Sequence, residues 1–404
     1  MCEAKRIVYL VGAGMGTPGG MTQEAKEALE GCSCILGAKR LTAPFEEEGA
    51  PCHALYEPEK IRAYLDGHPE VIKACVVLSG DTGFYSGAKK LEEALSDGYE
   101  IRRIPGISSV VYLAAALHVS WEDAALVSLH GRRQNWIYEV VHNARTFLLL
   151  GGNRAGERIG EKLRHYGLGD VTVFVGKNFS YPDEKIFSRK GSELSEEETE
   201  GLCVLCIENP GWERHTAIHV PDGAFLRGSV PMTKEEVRTV CIAKLRLTKD
   251  AVLYDVGAGT GSVSVEAALQ GGGIRVYAVE KNPEGVDLIR RNAQKFRTDA
   301  VQAVEGNAPE ALEQLEAPTH VFIGGSSGNL KEIIRTVRAK NEKARIVLTA
   351  ISLDTMAEVM DAVKTGLLRE PEIVQMSVAK SRKLGAHHMM TGQNPIYIVS
   401  EAEG

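Results

Sequence analysis

Ala251-Val252-Leu253-Tyr254-Asp255-Val256-Gly257-Ala258-Gly259-Thr260-Gly261 decides how the second half of this chain folds, and the rest of the sequence reads outward from it. A short apolar run, partly β-branched, ends in an acid and then in glycines at alternate positions, as expected where a buried parallel strand turns sharply into a helix. Glycine permits positive φ and leaves bare backbone against which a ligand can lie, and a helix beginning near Ser262 adds free N–H groups beside it. The expectation is a nucleotide-type pocket at the carboxyl end of a central strand. A dinucleotide fingerprint would read Gly-x-Gly-x-x-Gly, whereas Gly257, Gly259 and Gly261 are spaced by two throughout, which weakens an NAD reading.

A second strand, 274–279, leads to Glu280, whose carboxylate is placed to accept both hydroxyls of a ribose. Asp255, Gly257, Ala258, Gly259, Thr260, Gly261 and Glu280 together resemble the S-adenosylmethionine (SAM) pocket of class I methyltransferases. Further strands are expected at 251–256, 301–304, 320–323, 345–349, 373–379 and 396–400, alternating with helices and closing on a hairpin of the last two. Thr233 reads as a helix N-cap with Glu236 completing a capping box.

At 404 residues the chain is long enough for two or three domains, and 44% hydrophobic with 25% charged residues is ordinary for a globular protein. A net charge of −7 without a Lys/Arg cluster argues against a nucleic-acid partner and for a small-molecule substrate. No stretch approaches the roughly 18 apolar residues of a membrane span and no signal-peptide core is visible, so a cytoplasmic protein without a membrane partner is expected. Eight cysteines are too few for a disulfide framework. Cys203 and Cys206 form a CxxC inside an apolar run that reads as a strand, and a buried structural role is favoured over redox or zinc chemistry. His215 and His219 stand at helical spacing without a third ligand, and no metal is expected.

The N-terminal half opens with strand 6–11 and a second glycine-rich turn, Gly12-Ala13-Gly14-Met15-Gly16, followed by a helix over 23–30 capped by Thr22. Strand 74–78 ends in Ser79-Gly80-Asp81-Thr82-Gly83-Phe84, and strand 101–104 in Pro105-Gly106-Ile107-Ser108-Ser109 ahead of a helix over 110–117. Three strand ends dressed with small polar residues argue for one shared crevice. These segments resemble the tetrapyrrole (corrin/porphyrin) methyltransferase family, class III of the SAM-dependent enzymes, over residues 6–210. The resemblance includes a second αβ subdomain, with strand 125–129 leading to His130-Gly131-Arg132 and strand 146–150 to Gly151-Gly152. It implies SAM contacts at Gly14, Gly80, Asp81, Gly83, Phe84, Ser108 and Ser109. His130 either borders the substrate or is an ordinary histidine at a strand end. Many relatives have Gly-Asp-Pro where this chain has Gly80-Asp81-Thr82.

The second half, taken as Pro231-Met232-Thr233-Lys234 with Glu236-Val237-Arg238, the glycine loop, Gly306-Asn307-Ala308-Pro309-Glu310 and Gly324-Gly325-Ser326, resembles the decarboxylating precorrin methyltransferase domain. This likeness adds Thr233, Asn307 and Ala308 to the SAM contacts and implies a substrate wall at Gly324, Gly325 and Ser326. Arg382, Lys383, His387 and His388 read either as partners for peripheral carboxylates or as a solvated basic loop.

The expected architecture is therefore α/β throughout. Residues 1–210 are expected to form a tetrapyrrole methyltransferase domain of two αβ subdomains, 211–227 a linker, and 228–404 a Rossmann-like class I domain; the resemblances imply C5 methylation for the first domain and C15 methylation with decarboxylation for the second. One SAM per domain, a corrin substrate and a homo-oligomer are implied. Three alternatives stay open: RNA methylation by the second domain, NAD in both loops, and a noncatalytic tetrapyrrole carrier.

Overall fold

The computed structural model describes residues 6–46, 51–129, 135–150, 158–214 and 219–401. His130, Gly131, Arg132, Gly151, Gly152 and His215 lie outside them. The chain divides into two compact units. The first comprises Met1–Arg132, Ala144–Lys162 and Gly169–Pro210; the second comprises Arg133–Asn143, Leu163–Leu168 and Gly211–Gly404.

Two sheets build the first unit. Strands β1 (Arg6–Gly12), β2 (Cys34–Gly37), β3 (Cys52–His53), β4 (Lys73–Leu78) and β5 (Tyr99–Ile104) pair in the order β3-β2-β4-β1-β5. Every pairing is parallel. Fully parallel sheets need cover on both faces, and β1 accordingly sends Val8 and Leu10 into one apolar cluster and Val11 into another. Because β1 lies between β4 and β5, the carboxyl ends of these three strands are adjacent, the geometry in which open α/β sheets bind ligands. The second sheet, β6 (Ala125–Ser128), β7 (Arg145–Leu150), β8 (Thr172–Lys177), β9 (Lys185–Lys190) and β10 (Cys203–Glu208), runs β6-β7-β10-β8-β9. Cys203 and Cys206 sit buried on β10, and both are free thiols. Thr22 caps helix Gln23–Glu30 as expected, its hydroxyl accepting from Ala25 N at 3.2 Å.

The second unit holds β11 (Val252–Val256), β12 (Arg275–Glu280), β13 (Val301–Glu305), β14 (His320–Ile323), β15 (Arg345–Ala350), β16 (Pro371–Met376), β17 (Ala379–Leu384), β18 (His387–Gly392) and β19 (Ile396–Glu401). Seven of them form one sheet in the order β13-β12-β11-β14-β15-β19-β16. β19 runs antiparallel to both neighbours, and the other pairings are parallel. β11 is buried along its whole length, with Val252, Tyr254 and Val256 in one cluster and Leu253 in the opposite one.

Two sequence expectations need correction here. β16 and β19 pair, but they are not joined as a simple hairpin, because the two-stranded ribbon β17–β18 is inserted between them. The Thr233–Glu236 capping box does not form. Lys234 is the N-cap of helix Glu235–Leu245 without a side-chain bond, and the Glu236 carboxylate instead pairs with Lys380 at 2.5 Å. Residues 219–227, which lack any period, are packed rather than loose: Val220 and Phe225 are buried against Val265. Among the described residues no helix is long and apolar enough to cross a membrane, and no group of histidine, cysteine, aspartate and glutamate could hold a metal ion.

Candidate active sites

In the first unit the three strand ends meet backbone to backbone. A Cβ on Gly106 would stand 2.3 Å from the Gly80 carbonyl oxygen and 2.5 Å from that of Gly12, so no other residue fits this crossing. Gly14 and Gly80 exchange backbone hydrogen bonds of 3.2 and 2.7 Å. Asp81 then staples the turns together, accepting from Gly83 N at 2.8 Å and from Gly106 N at 3.1 Å. Ser108 caps helix Ser109–Ala116 through Val111 N.

These contacts enclose a cavity of about 400 Å³. Of the residues anticipated from sequence, Gly80, Asp81, Phe84, Ser108 and Ser109 line it, whereas Gly14 and Gly83 stand behind its wall and shape it through their backbone. The opposite wall comes from the second sheet, with Leu149, Gly176, Phe179, Tyr181 and Val204. Arg40, Phe179 and Tyr181 also line the cavity, and they stand in segments with no glycine turn to advertise them.

In the second unit Gly257, Gly259 and Gly261 all adopt positive φ, 71, 56 and 76°. Gly259 is the most constrained by its surroundings: a Cβ there would lie 2.3 Å from the Pro231 carbonyl oxygen. Residues 231–233 thus lie directly on the glycine loop, and Ser262 Oγ reaches Thr233 O at 3.5 Å. Glu280 is held in place by two donors, Gly259 N to Oε2 at 2.9 Å and Asn282 N to Oε1 at 2.8 Å. Each carboxylate oxygen keeps a lone pair for a further donor.

Asp255, fully buried beneath the loop, accepts from Ser264 Oγ at 2.5 Å. Burial pushes its carboxyl up to about 7, with a smaller push from the Glu280 charge and opposition from the Ser264 bonds. A carboxyl raised on folding from 3.8 binds more protons folded than unfolded between pH ~4 and ~7, so it makes stability fall as pH rises through that window. Asp255→Asn should remove this slope. The variant's stability relative to wild type is expected to climb from pH 4 to pH 7 by up to ~4 kcal/mol and then level off, as read by urea unfolding. A difference that does not vary with pH would contradict the assignment.

Beside the glycine loop, at the carboxyl ends of β14 and β15, lies a cavity of about 360 Å³ lined by Gly324, Gly325, Ser326, Thr349, Thr355 and Glu358 among others. Its floor is continuous with the loop, since Gly324 N donates to Val256 O at 2.9 Å and a Cβ on Gly257 would touch the Gly325 backbone at 2.7 Å. Asn329 Nδ2 donates to Ala308 O at 3.3 Å, which joins the Asn307-Ala308 turn to this wall. Arg382, Lys383, His387 and His388 are not part of it. They are exposed on the β17–β18 ribbon and line neither cavity. The foot of the ribbon is tied by Lys380 to Glu235 and Glu236, next to Thr233.

The profile of the tetrapyrrole (corrin/porphyrin) methylases matches residues 7–195, and that of the precorrin methyltransferase domain residues 224–401. A probable cobalt-precorrin-6B C(15)-methyltransferase (decarboxylating) of Pyrobaculum calidifontis is 44% identical over 185 residues, which is 45% of this chain and 94% of that protein. The chain belongs to the precorrin methyltransferase family. This methyltransferase is also 27% identical over 403 residues, 97% of its own length, to a precorrin-6Y C(5,15)-methyltransferase [decarboxylating] of a Sinorhizobium species, of which it covers 94%. A crystal structure described as precorrin-6Y C5,15-methyltransferase from Geobacter metallireducens GS-15 shares 38% identity at a TM-score of 0.44, covering 46% of this chain and 97% of that one.

Proposed function

We propose that this precorrin methyltransferase carries out both C-methylations of a corrin precursor, precorrin-6Y or its cobalt form. The first unit would act at C5, and the second at C15 with loss of the ring-C acetate as CO2, each with its own SAM. The observation that carries the reading is the pairing, in one chain, of two methyltransferase halves of different fold, beside similarity along 97% of the chain to the Sinorhizobium protein named as a precorrin-6Y C(5,15)-methyltransferase [decarboxylating].

The residues present fit the cofactor. A cavity of about 400 Å³ in the first unit is of the size that takes a small-molecule ligand. In the second, Glu280 offers lone pairs to ribose hydroxyls beside a bare glycine backbone. SAM would supply a methyl group on an electrophilic sulfonium. The protein's own task is then alignment and exclusion of water, because an enamine-like carbon of the reduced macrocycle is already a nucleophile. In the first unit Phe84 and Phe179 provide apolar wall, and the Gly12–Gly80–Gly106 crossing fixes the floor. In the second, Gly324, Gly325 and Ser326 border the neighbouring cavity, where the macrocycle would lie. Loss of CO2 requires a protonated ring as electron sink. Glu358, whose buried Oε2 has no hydrogen-bond partner among the described residues, stands on that cavity's wall.

A cytoplasmic homo-oligomer completes the reading. Free thiols at the described cysteines support the compartment, and exposed Leu384, Met389 and Met390 on the ribbon support self-association. Incubating the protein with SAM and precorrin-6Y, or its cobalt form, should give a product that has gained two methyl groups and lost one CO2 by mass spectrometry. A product with a single methyl and its acetate intact would refute the bifunctional reading.

A further inference from the structure

The first unit's cavity has a positively charged end for which its fold provides no counter-charge. Arg40 lines the cavity and is exposed; among the described residues its guanidinium has no hydrogen-bond acceptor and no carboxylate within 4 Å. It stands in the first turn of helix Lys39–Glu46, directly after Lys39, and that turn contains no acid. Cations at a helix N-terminus oppose the helix dipole, so this arrangement is locally unfavourable unless an anion completes it.

A second observation falls on the same spot. The hydroxyl of Tyr181, on the wall contributed by the second sheet, is buried and has no hydrogen-bond partner among the described residues. A buried hydroxyl without a partner is costly and calls for one. Both groups converge beside Gly16. A Cβ placed there would lie 2.9 Å from the Tyr181 hydroxyl and 3.4 Å from Arg40 Nη1, and Gly16 itself has φ +99°. The absence of a side chain at Gly16 leaves that space open. The other charged residue lining the cavity, Asp81, already accepts from two backbone N–H groups and cannot neutralise Arg40 across it.

We infer that Arg40 and the Tyr181 hydroxyl form a carboxylate subsite at one end of the first unit's cavity. The subsite rests on the proposed reading of this cavity as the C5-methylating centre, where carboxylates have two sources. One is the amino-acid end of the sulfonium donor, and the other is a peripheral acetate or propionate of the tetrapyrrole. Guanidinium and hydroxyl donate to the same group, a combination that suits carboxylate over a neutral amide.

Arg40→Ala and Tyr181→Phe, made separately in the full chain, test it. Calorimetry with S-adenosylhomocysteine and with 5′-methylthioadenosine, which lacks the carboxylate, reads the donor arm, and the KM for the tetrapyrrole reads the substrate arm. If the donor supplies the carboxylate, the variants weaken S-adenosylhomocysteine at one site by about ten- to a hundred-fold and leave methylthioadenosine unchanged. If the substrate supplies it, donor affinities hold and the tetrapyrrole KM rises by a similar factor. Two wild-type sites with all three quantities unmoved in the variants would overturn the subsite alone, as would equal weakening of both nucleosides. A wild-type chain that binds donor only in its second unit would overturn the underlying reading and the subsite with it.

Discussion

Replacing Gly259 with valine should lower the decarboxylating methylation proposed for the second unit about a hundred-fold while leaving the first unit's proposed chemistry in place. The backbone at Gly259 has φ +56°, and a Cβ would lie 2.3 Å from the Pro231 carbonyl oxygen. The left-handed conformation alone costs a non-glycine residue ~1–2 kcal/mol. The contact with Pro231 must then be relieved by moving either the loop or residues 231–233. Both movements damage the same site, because Gly259 N fixes the Glu280 carboxylate and the displaced segment contains Thr233. A shift of an ångström in a positioning element is enough to lower turnover about a hundred-fold. The expected product is singly methylated and retains its acetate, with the melting profile of the first unit unchanged. Decarboxylation within a factor of about three of wild type would contradict this account of the loop, since so small a change falls well short of the loss that misplacement brings.

Arg238→Ala should be the most destabilising single change in the second unit. The side chain is fully buried and ion-paired with Glu266, itself almost wholly buried, and with Asp222 at 3.2 Å. It also donates to Thr233 O at 2.7 Å and Val220 O at 2.5 Å, and its guanidinium lies 4.9 Å from the Phe225 ring centre. One cation thereby fastens the aperiodic segment after residue 219 to helices Glu235–Leu245 and Ser262–Ala268. Removing it strands a buried Glu266 charge, which costs ~3–5 kcal/mol and lowers the melting temperature of a unit this size by roughly 10 °C. The pair Arg238→Met and Glu266→Leu together should be less harmful than Arg238→Ala alone, because the orphaned charge is gone. A double variant less stable than the single one would contradict this account of the network. Release of Thr233 also predicts weaker donor binding at the glycine loop even where the unit stays folded.

Both glycine-rich turns were legible in the sequence because their constraint is backbone geometry, which only glycine satisfies. Gly257, Gly259 and Gly261 at positive φ, and the Gly12–Gly80–Gly106 crossing, are written directly as residue types. Alternating strands and helices in the second half were legible for a related reason: strands buried on both faces, such as Val252–Val256, read as continuous apolar runs. The β17–β18 ribbon was not. Its strands are exposed along nearly all of their length, so no apolar alternation marks them, and Arg382, Lys383, His387 and His388 looked like a loop near substrate. The capping box failed because Glu236 has a stronger partner in Lys380, a residue 144 positions away that no local pattern could reveal. Arg40 and Tyr181 were missed for the same reason, since only the fold brings a helix start and a loop of the second sheet to one cavity.

One polypeptide is proposed to hold two independent donor clefts. A crystal structure of the full chain with S-adenosylhomocysteine tests it most directly. Density for the nucleoside is predicted in both places, against Gly80, Phe84 and Ser108 in the first unit and across Gly257–Gly261 with its ribose on Glu280 in the second. A fully liganded crystal with either cleft vacant, or with the nucleoside bound elsewhere, would contradict it.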